Sequence, residues 1–176
     1  MDENITRFLD AISFAGREHR GQVRKDGETP YAAHPCRVAA ILALVFEVDD
    51  PDLLAAAALH DTIEDTPTDR DDLIEAFGDQ VAAHVAALTK DMRLEEKERE
   101  PAFLEQIIRA GPEVMVLKLA DAYDNLLDAE RLSPEQRRKT RTKAQKQFDA
   151  FRDRLGPEWE HVVRRFQARL DDVAGD

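Results

Sequence analysis

Residues 51–65 read Pro-Asp-Leu-Leu-Ala-Ala-Ala-Ala-Leu-His-Asp-Thr-Ile-Glu-Asp, and no other stretch limits the fold as much. Asp50 followed by Pro51 is a helix start. The carboxylate can cap free backbone N–H groups, and proline has none to lose at the first helical position. The apolar run behind it is nearly continuous, so the helix has no face for water and belongs at the centre of its fold. It ends in one imidazole and three carboxylates: His60, Asp61, Glu64 and Asp65. If the helix continues to Thr66-Pro67, His60 and Glu64 are i, i+4 neighbours, and so are Asp61 and Asp65. Charges held beside a buried helix need partners. A divalent cation would hold them together, and His with Asp is a metal-ligand set. The alternative is an exposed acidic helix end, which opposes the helix macrodipole by about 0.3–1 kcal/mol per carboxylate.

The rest of the chain also has helical period. Ile5, Phe8, Leu9, Ile12, Ala15 and His19 mark a first amphipathic helix, and Gly21 to Pro30 is a polar loop. Pro35 suits the first turn of a second helix running through Val38, Ile41, Leu42 and Val45, with His34 at its N-cap. Thr68 with Asp71 resembles a capping box for a short helix that Gly78 closes, and Asp79 caps the next. Lys90 to Glu100 is polar enough for either a loop or a frayed helix. Phe103, Ile107 and Ile108 predict a helix up to Gly111, and Pro112 opens a strongly apolar one. Val114 to Leu117 has strand propensity, but the length and the later spacing favour helix. Ser133-Pro134-Glu135-Gln136 caps a long basic helix to about Leu155. Beyond Gly156-Pro157, a last helix carries Trp159, Val162, Val163, Phe166 and Leu170. The expectation is an all-α helical bundle: one domain over 1–176, with its core at about 5–155 and a C-terminal helix at 157–173. His84 and Trp159 read as structural, Cys36 as a small packed residue and His161 as solvated.

Charge narrows the partners. Lys and Arg total 25 against 37 Asp and Glu, a net charge of −12. Such a chain repels a nucleic-acid backbone over most of its surface. Residues 131–146 run the other way, with seven cations, Arg131 to Lys146, against Glu135 alone. One basic stripe on an acidic protein suits a small anionic ligand, or it is a solvated helix face. The lone Cys36 excludes a disulfide framework. No apolar run reaches the ~18 residues of a membrane span, and the acidic N-terminus has no signal-peptide core. A cytoplasmic protein with no membrane or nucleic-acid partner is expected.

Two more residues bear on the metal reading. His34 lies at a loop-to-helix junction, where it can point into a cleft or act as a cap. Asp121 lies among large apolar residues with Asn125 one turn on, so it needs a partner. Alternatively, Asp121, Asp124, Asn125 and Asp128 form an outer polar stripe, which their i, i+3, i+4, i+7 spacing permits.

His34, then His60-Asp61, then Asp121 resemble the H…HD…D pattern of the HD-domain metal-dependent phosphohydrolases. The closer resemblance is to the hydrolase domain of RelA/SpoT-type alarmone enzymes, in the small alarmone hydrolase group. It rests on Arg24-Lys25-Asp26-Gly27, Pro30-Tyr31-x-x-His34-Pro35, His60-Asp61-Thr62-Ile63-Glu64-Asp65-Thr66 and Lys118-Leu119-Ala120-Asp121-x-x-x-Asn125-Leu126. The resemblance implies Mn²⁺, or another divalent metal, held by His34, His60, Asp61 and Asp121. It implies Glu64 and Asp65 as the pair that activates water, and Arg24, Lys25 and Asn125 as substrate-binding residues. It implies removal of the 3′-pyrophosphate of (p)ppGpp to leave GDP or GTP. The alternatives are the same chemistry on NADPH or a nucleoside monophosphate, or a non-catalytic nucleotide-binding module. The chain departs from the family's basic-Leu-His/Tyr-Asn at Ala122-Tyr123-Asp124-Asn125. That loses a cation and gains an anion, which predicts a weaker hold on a polyphosphate.

Overall fold

The buried Ala-rich helix does sit at the centre. In the computed structural model, which describes residues 3–173, it is α3, Pro51–Leu59. Asp50 caps it, accepting from the Leu53 N–H, with Pro51 in the first turn. All of Ala55 to Leu59 is shielded from solvent. Around it pack α1 (Glu3–Glu18), α2 (Ala33–Leu44) and α6 (Asp79–Ala87), while α5 (Arg70–Phe77) lies against α6. A second layer is built on α8 (Pro112–Ala129), which packs against α2, α7 (Glu96–Ala110), α9 (Pro134–Phe151) and α10 (Glu160–Asp172). Short 3₁₀ turns at Arg152–Arg154 and Pro157–Trp159 join α9 to α10. Among the described residues there is no strand, only one isolated bridge between Val23 and Pro30.

Several boundaries differ from the sequence-based expectation, each for a local reason. The central helix does not run through to Asp65: it breaks at His60-Asp61 and resumes as α4, Thr62–Asp65. At the break, side chains take the carbonyls the ladder would have used. The His60 ring bonds to the Ala57 carbonyl and the Thr62 hydroxyl to that of Leu59. The capping box of α5 is Asp69 with Asp72, not Thr68 with Asp71, because Thr68 is buried against Thr66 and Glu18. Asp79 is the first residue of α6; the N-cap is Gly78, whose φ of 88° a side chain would resist. His34 lies inside the first turn of α2, one residue beyond Ala33. The polar stretch becomes a turn and then α7 from Glu96. The Ser133–Gln136 capping box is present, but α9 ends at Phe151.

The last helix shares the core of the others. The Phe148 and Phe166 rings stack at 5.2 Å, and Tyr123 of α8 lies edge-on to Phe46 and Phe166. His161, expected to be solvated, is half-buried, and its Nε2 meets the Phe46 carbonyl at 2.7 Å. Phe166→Ala is therefore expected to cost about 3–5 kcal/mol, the range for a buried phenylalanine, measured by chemical denaturation. A cost under 1 kcal/mol would mean that α10 is an appendage.

Candidate metal centre

The break at His60-Asp61 turns two side chains toward α2 and α8. His60 is held from its own helix: a carbonyl can only accept, so the ring nitrogen facing Ala57, Nδ1, carries the hydrogen at 2.9 Å. Its Nε2 is buried and has no hydrogen-bond partner. On α2, the His34 ring is fixed by Asp124, whose Oδ2 lies 2.7 Å from Nδ1, so its Nε2 also points inward. From α8, Asp121 Oδ1 comes within 3.1 Å of His34 Nε2 and 3.8 Å of His60 Nε2. Ligand atoms of His34, His60 and Asp121 all lie within 4.8 Å of one another. Asp61 Oδ2 joins them, 3.0 Å from His60 Nε2 and 3.6 Å from His34 Nε2.

Two imidazoles presenting Nε2, with carboxylate oxygens between them, fit a divalent cation, and the His60 nitrogen that makes no hydrogen bond is free to ligate it. Burial opposes a charge on His34, but hydrogen bonds with Asp121 and Asp124 outweigh it and push the pKa up to about 9. A cation would replace that proton. Burial would raise Asp61 and Asp121. Instead His60 holds Asp61 low, and Lys118, His34 and His60 hold Asp121 low, so both carboxylates stay ionised.

The predicted catalytic pair lies alongside. The Tyr31 hydroxyl donates to Asp61 Oδ2 at 2.6 Å and reaches Asp65 Oδ2 at 3.2 Å, so one side chain spans ligand and candidate base. Burial, with the negative charges of Asp61 and Glu64, raises the proton affinity of Asp65. Glu64 takes the Lys90 ammonium on Oε1 at 3.1 Å and the Lys90 backbone N–H on Oε2 at 3.2 Å.

Of the predicted substrate-binding residues, Asn125 stands nearest the metal ligands. Its Nδ2 donates to Asp121 Oδ1 at 2.7 Å. Arg24 is turned to α8, bonding Asp128 at 2.7 Å and Asn125 at 3.3 Å. Lys25 is exposed and lines a cavity of about 110 Å³ with Asp121, Ala122, Asn125, Thr140 and Lys143. That cavity shares Lys143 and Gln147 with a groove of about 1130 Å³ between α7 and α9.

The outer-stripe reading of α8 is excluded, since Asp121 is 7% exposed and Asp124 fully buried. Sequence reasoning missed Tyr31, Arg37, Lys90, Lys118 and the inward role of Asp124. Lys118 was within reach, because it sits three residues before Asp121 and its Nζ meets Oδ2 at 2.6 Å. Arg37 and Asp124 left no local signal.

An HD-domain family model matches residues 11–158. Guanosine-3′,5′-bis(diphosphate) 3′-pyrophosphohydrolase MESH1 of Homo sapiens is 43% identical over 136 residues, 77% of this chain and 76% of that protein. The bifunctional (p)ppGpp synthase/hydrolase SpoT of Escherichia coli (strain K12) is 35% identical over 161 residues, which are 88% of this chain and 22% of SpoT. A solved structure of a metazoan SpoT ortholog that hydrolyses ppGpp superposes with a TM-score of 0.78 at 31% identity, covering 93% of this chain and 95% of that one. The family model spans the segments that carry His34, His60, Asp61 and Asp121, and the chain belongs to the HD-domain family.

Proposed function

We propose that this protein is a divalent-metal-dependent hydrolase, with Mn²⁺ as its metal, that removes the 3′-pyrophosphate of (p)ppGpp to leave GDP or GTP. The observation that carries the reading is the inward pair of imidazole nitrogens converging with Asp121, and the His60 Nε2 among them is buried and makes no hydrogen bond. The family relatives named for the same reaction support the substrate.

When bound, the metal would polarise a phosphoryl oxygen and offset developing negative charge. His34, His60, Asp61 and Asp121 would hold it. Glu64 and Asp65 position a water and take its proton, and the raised proton affinity of Asp65 suits it to that task. The water oxygen bonds to the phosphorus attached to the ribose 3′ oxygen. The P–O bond to that oxygen breaks, the 3′ oxygen takes up a proton, and pyrophosphate leaves intact. Lys90 keeps Glu64 in place throughout.

The missing cation at 122 is made up from α9. Ala122 has no bulk to fill the small cavity, and Lys143 borders the same space. Burial, then the nearby ammonium groups of Lys118 and Lys90, lower the pKa of Lys143. Three cations converging beside the ligands repel one another, and an anion bound between them relieves that repulsion. Lys143→Ala is expected to raise KM for ppGpp about 10–100-fold, the worth of one charge-assisted hydrogen bond of about 1.5–3 kcal/mol. Adding Ala122→Lys to that variant should restore most of the affinity. Unchanged KM in the first variant would remove Lys143 from the site.

The deciding assay incubates the purified protein with Mn²⁺ and a panel of ppGpp, pppGpp, NADPH and nucleoside monophosphates, and separates the products. Pyrophosphate with GDP or GTP is the expected result. Orthophosphate from NADPH or from a monophosphate, with ppGpp untouched, would replace the substrate and leave the metal centre standing.

A further inference from the structure

Asp124 is a fully buried carboxylate surrounded by cations. Its Oδ2 lies 2.7 Å from His34 Nδ1, and its Oδ1 lies 2.7 Å from Arg37 Nε. Arg24 stands 3.7 Å from Oδ2. The same two arginines grip Asp128 one turn on, each at 2.7 Å. Two guanidinium groups are thus shared between two carboxylates on one face of α8, and the His34 ring completes the set. A buried carboxylate left unpaired is costly, so a cluster of this kind needs all its members.

We propose that Asp124 is the positioning residue for His34: it holds the hydrogen on Nδ1 and turns Nε2 toward Asp61 and Asp121. The inference rests on the metal reading of those residues and is independent of which nucleotide is cleaved. His60 gets the same service from a neutral carbonyl, that of Ala57. A carboxylate pulls harder on the N–H, which makes His34 the more basic of the two imidazoles toward a cation. The acid at 124 then does not face the substrate. Its charge is spent on His34, Arg37 and Arg24, and the weaker hold on polyphosphate expected from the sequence has no source at this position.

The test is the affinity for Mn²⁺ alone, measured by titration calorimetry and by the rise in melting temperature with added metal. Asp124→Ala is expected to weaken Mn²⁺ binding about 10–100-fold, the usual effect of losing a group behind a metal ligand. Asp124→Asn, which keeps an acceptor but loses the charge, should fall between Ala and wild type. Arg37→Gln loses two ion pairs but leaves the His34–Asp124 contact, so it should lower stability while Mn²⁺ affinity stays near wild type. If Asp124→Ala does not fold, the Asn variant decides. A folded Asn variant that binds Mn²⁺ like wild type overturns the proposal. So does Arg37→Gln losing as much affinity as the Asp124 variants, because the cluster would then be only structural. Wild-type protein that binds no Mn²⁺ overturns the metal centre, and the proposal with it.

Discussion

Replacing Asp121 with alanine is expected to remove bound metal and turnover together, and also to destabilise the fold by about 3–5 kcal/mol. The second effect comes from Lys118. Lys118 is only 8% exposed, and Asp121 Oδ2 accepts from its ammonium at 2.6 Å. Burial would lower its pKa, but the Asp121 charge outweighs that and keeps it protonated. Removing the carboxylate leaves a buried cation without its hydrogen-bonded counter-charge. Asn125 loses its bond to Oδ1 as well. Adding Lys118→Met should recover stability without recovering metal, which separates the two losses. Denaturant melts measure the first and elemental analysis the second. Full turnover in protein stripped with EDTA would refute the metal requirement.

Glu64→Gln is expected to leave bound-metal content near wild type and to lower kcat by about 10²–10⁴-fold, the range for general acid–base catalysis. Glutamine keeps the shape and still accepts on one oxygen, but it cannot take a proton from water. The metal should stay because Glu64 is held by Lys90, through both the ammonium and the backbone N–H, and neither of these hydrogen bonds involves His34, His60 or Asp121. KM should change little. Metal lost in step with activity would instead place Glu64 among the ligands.

Much of the fold was legible in the sequence because its signals are local. Asp50 with Pro51, Ser133 with Gln136, and the glycines at 78 and 111 mark helix ends through interactions within four residues. The boundaries that were missed turn on competition for backbone groups. His60 and Thr62 capture carbonyls of α3, and no periodicity announces that a side chain will win over the helical ladder. The break matters, because it is where His60 and Asp61 leave the helix and meet α2 and α8.

By itself the sequence determined the helical class, the central place of residues 51–59, and His60-Asp61 with Glu64-Asp65 as a candidate chemical unit. Pairing them with His34 and Asp121 came from resemblance to a family pattern, and the structure brings these side chains together. Only the tertiary structure decided which way α8 faces. Asp121, Asp124, Asn125 and Asp128 share one face at any orientation of the helix, so the same spacing fits an outer stripe and an inner one. What settles it is α2, where His34 and Arg37 meet Asp124 from about ninety positions away in the chain. Periodicity states which residues lie side by side on a helix. The partner across the interface is set by long-range packing, and there a charge that looks misplaced in the sequence finds two arginines and a histidine.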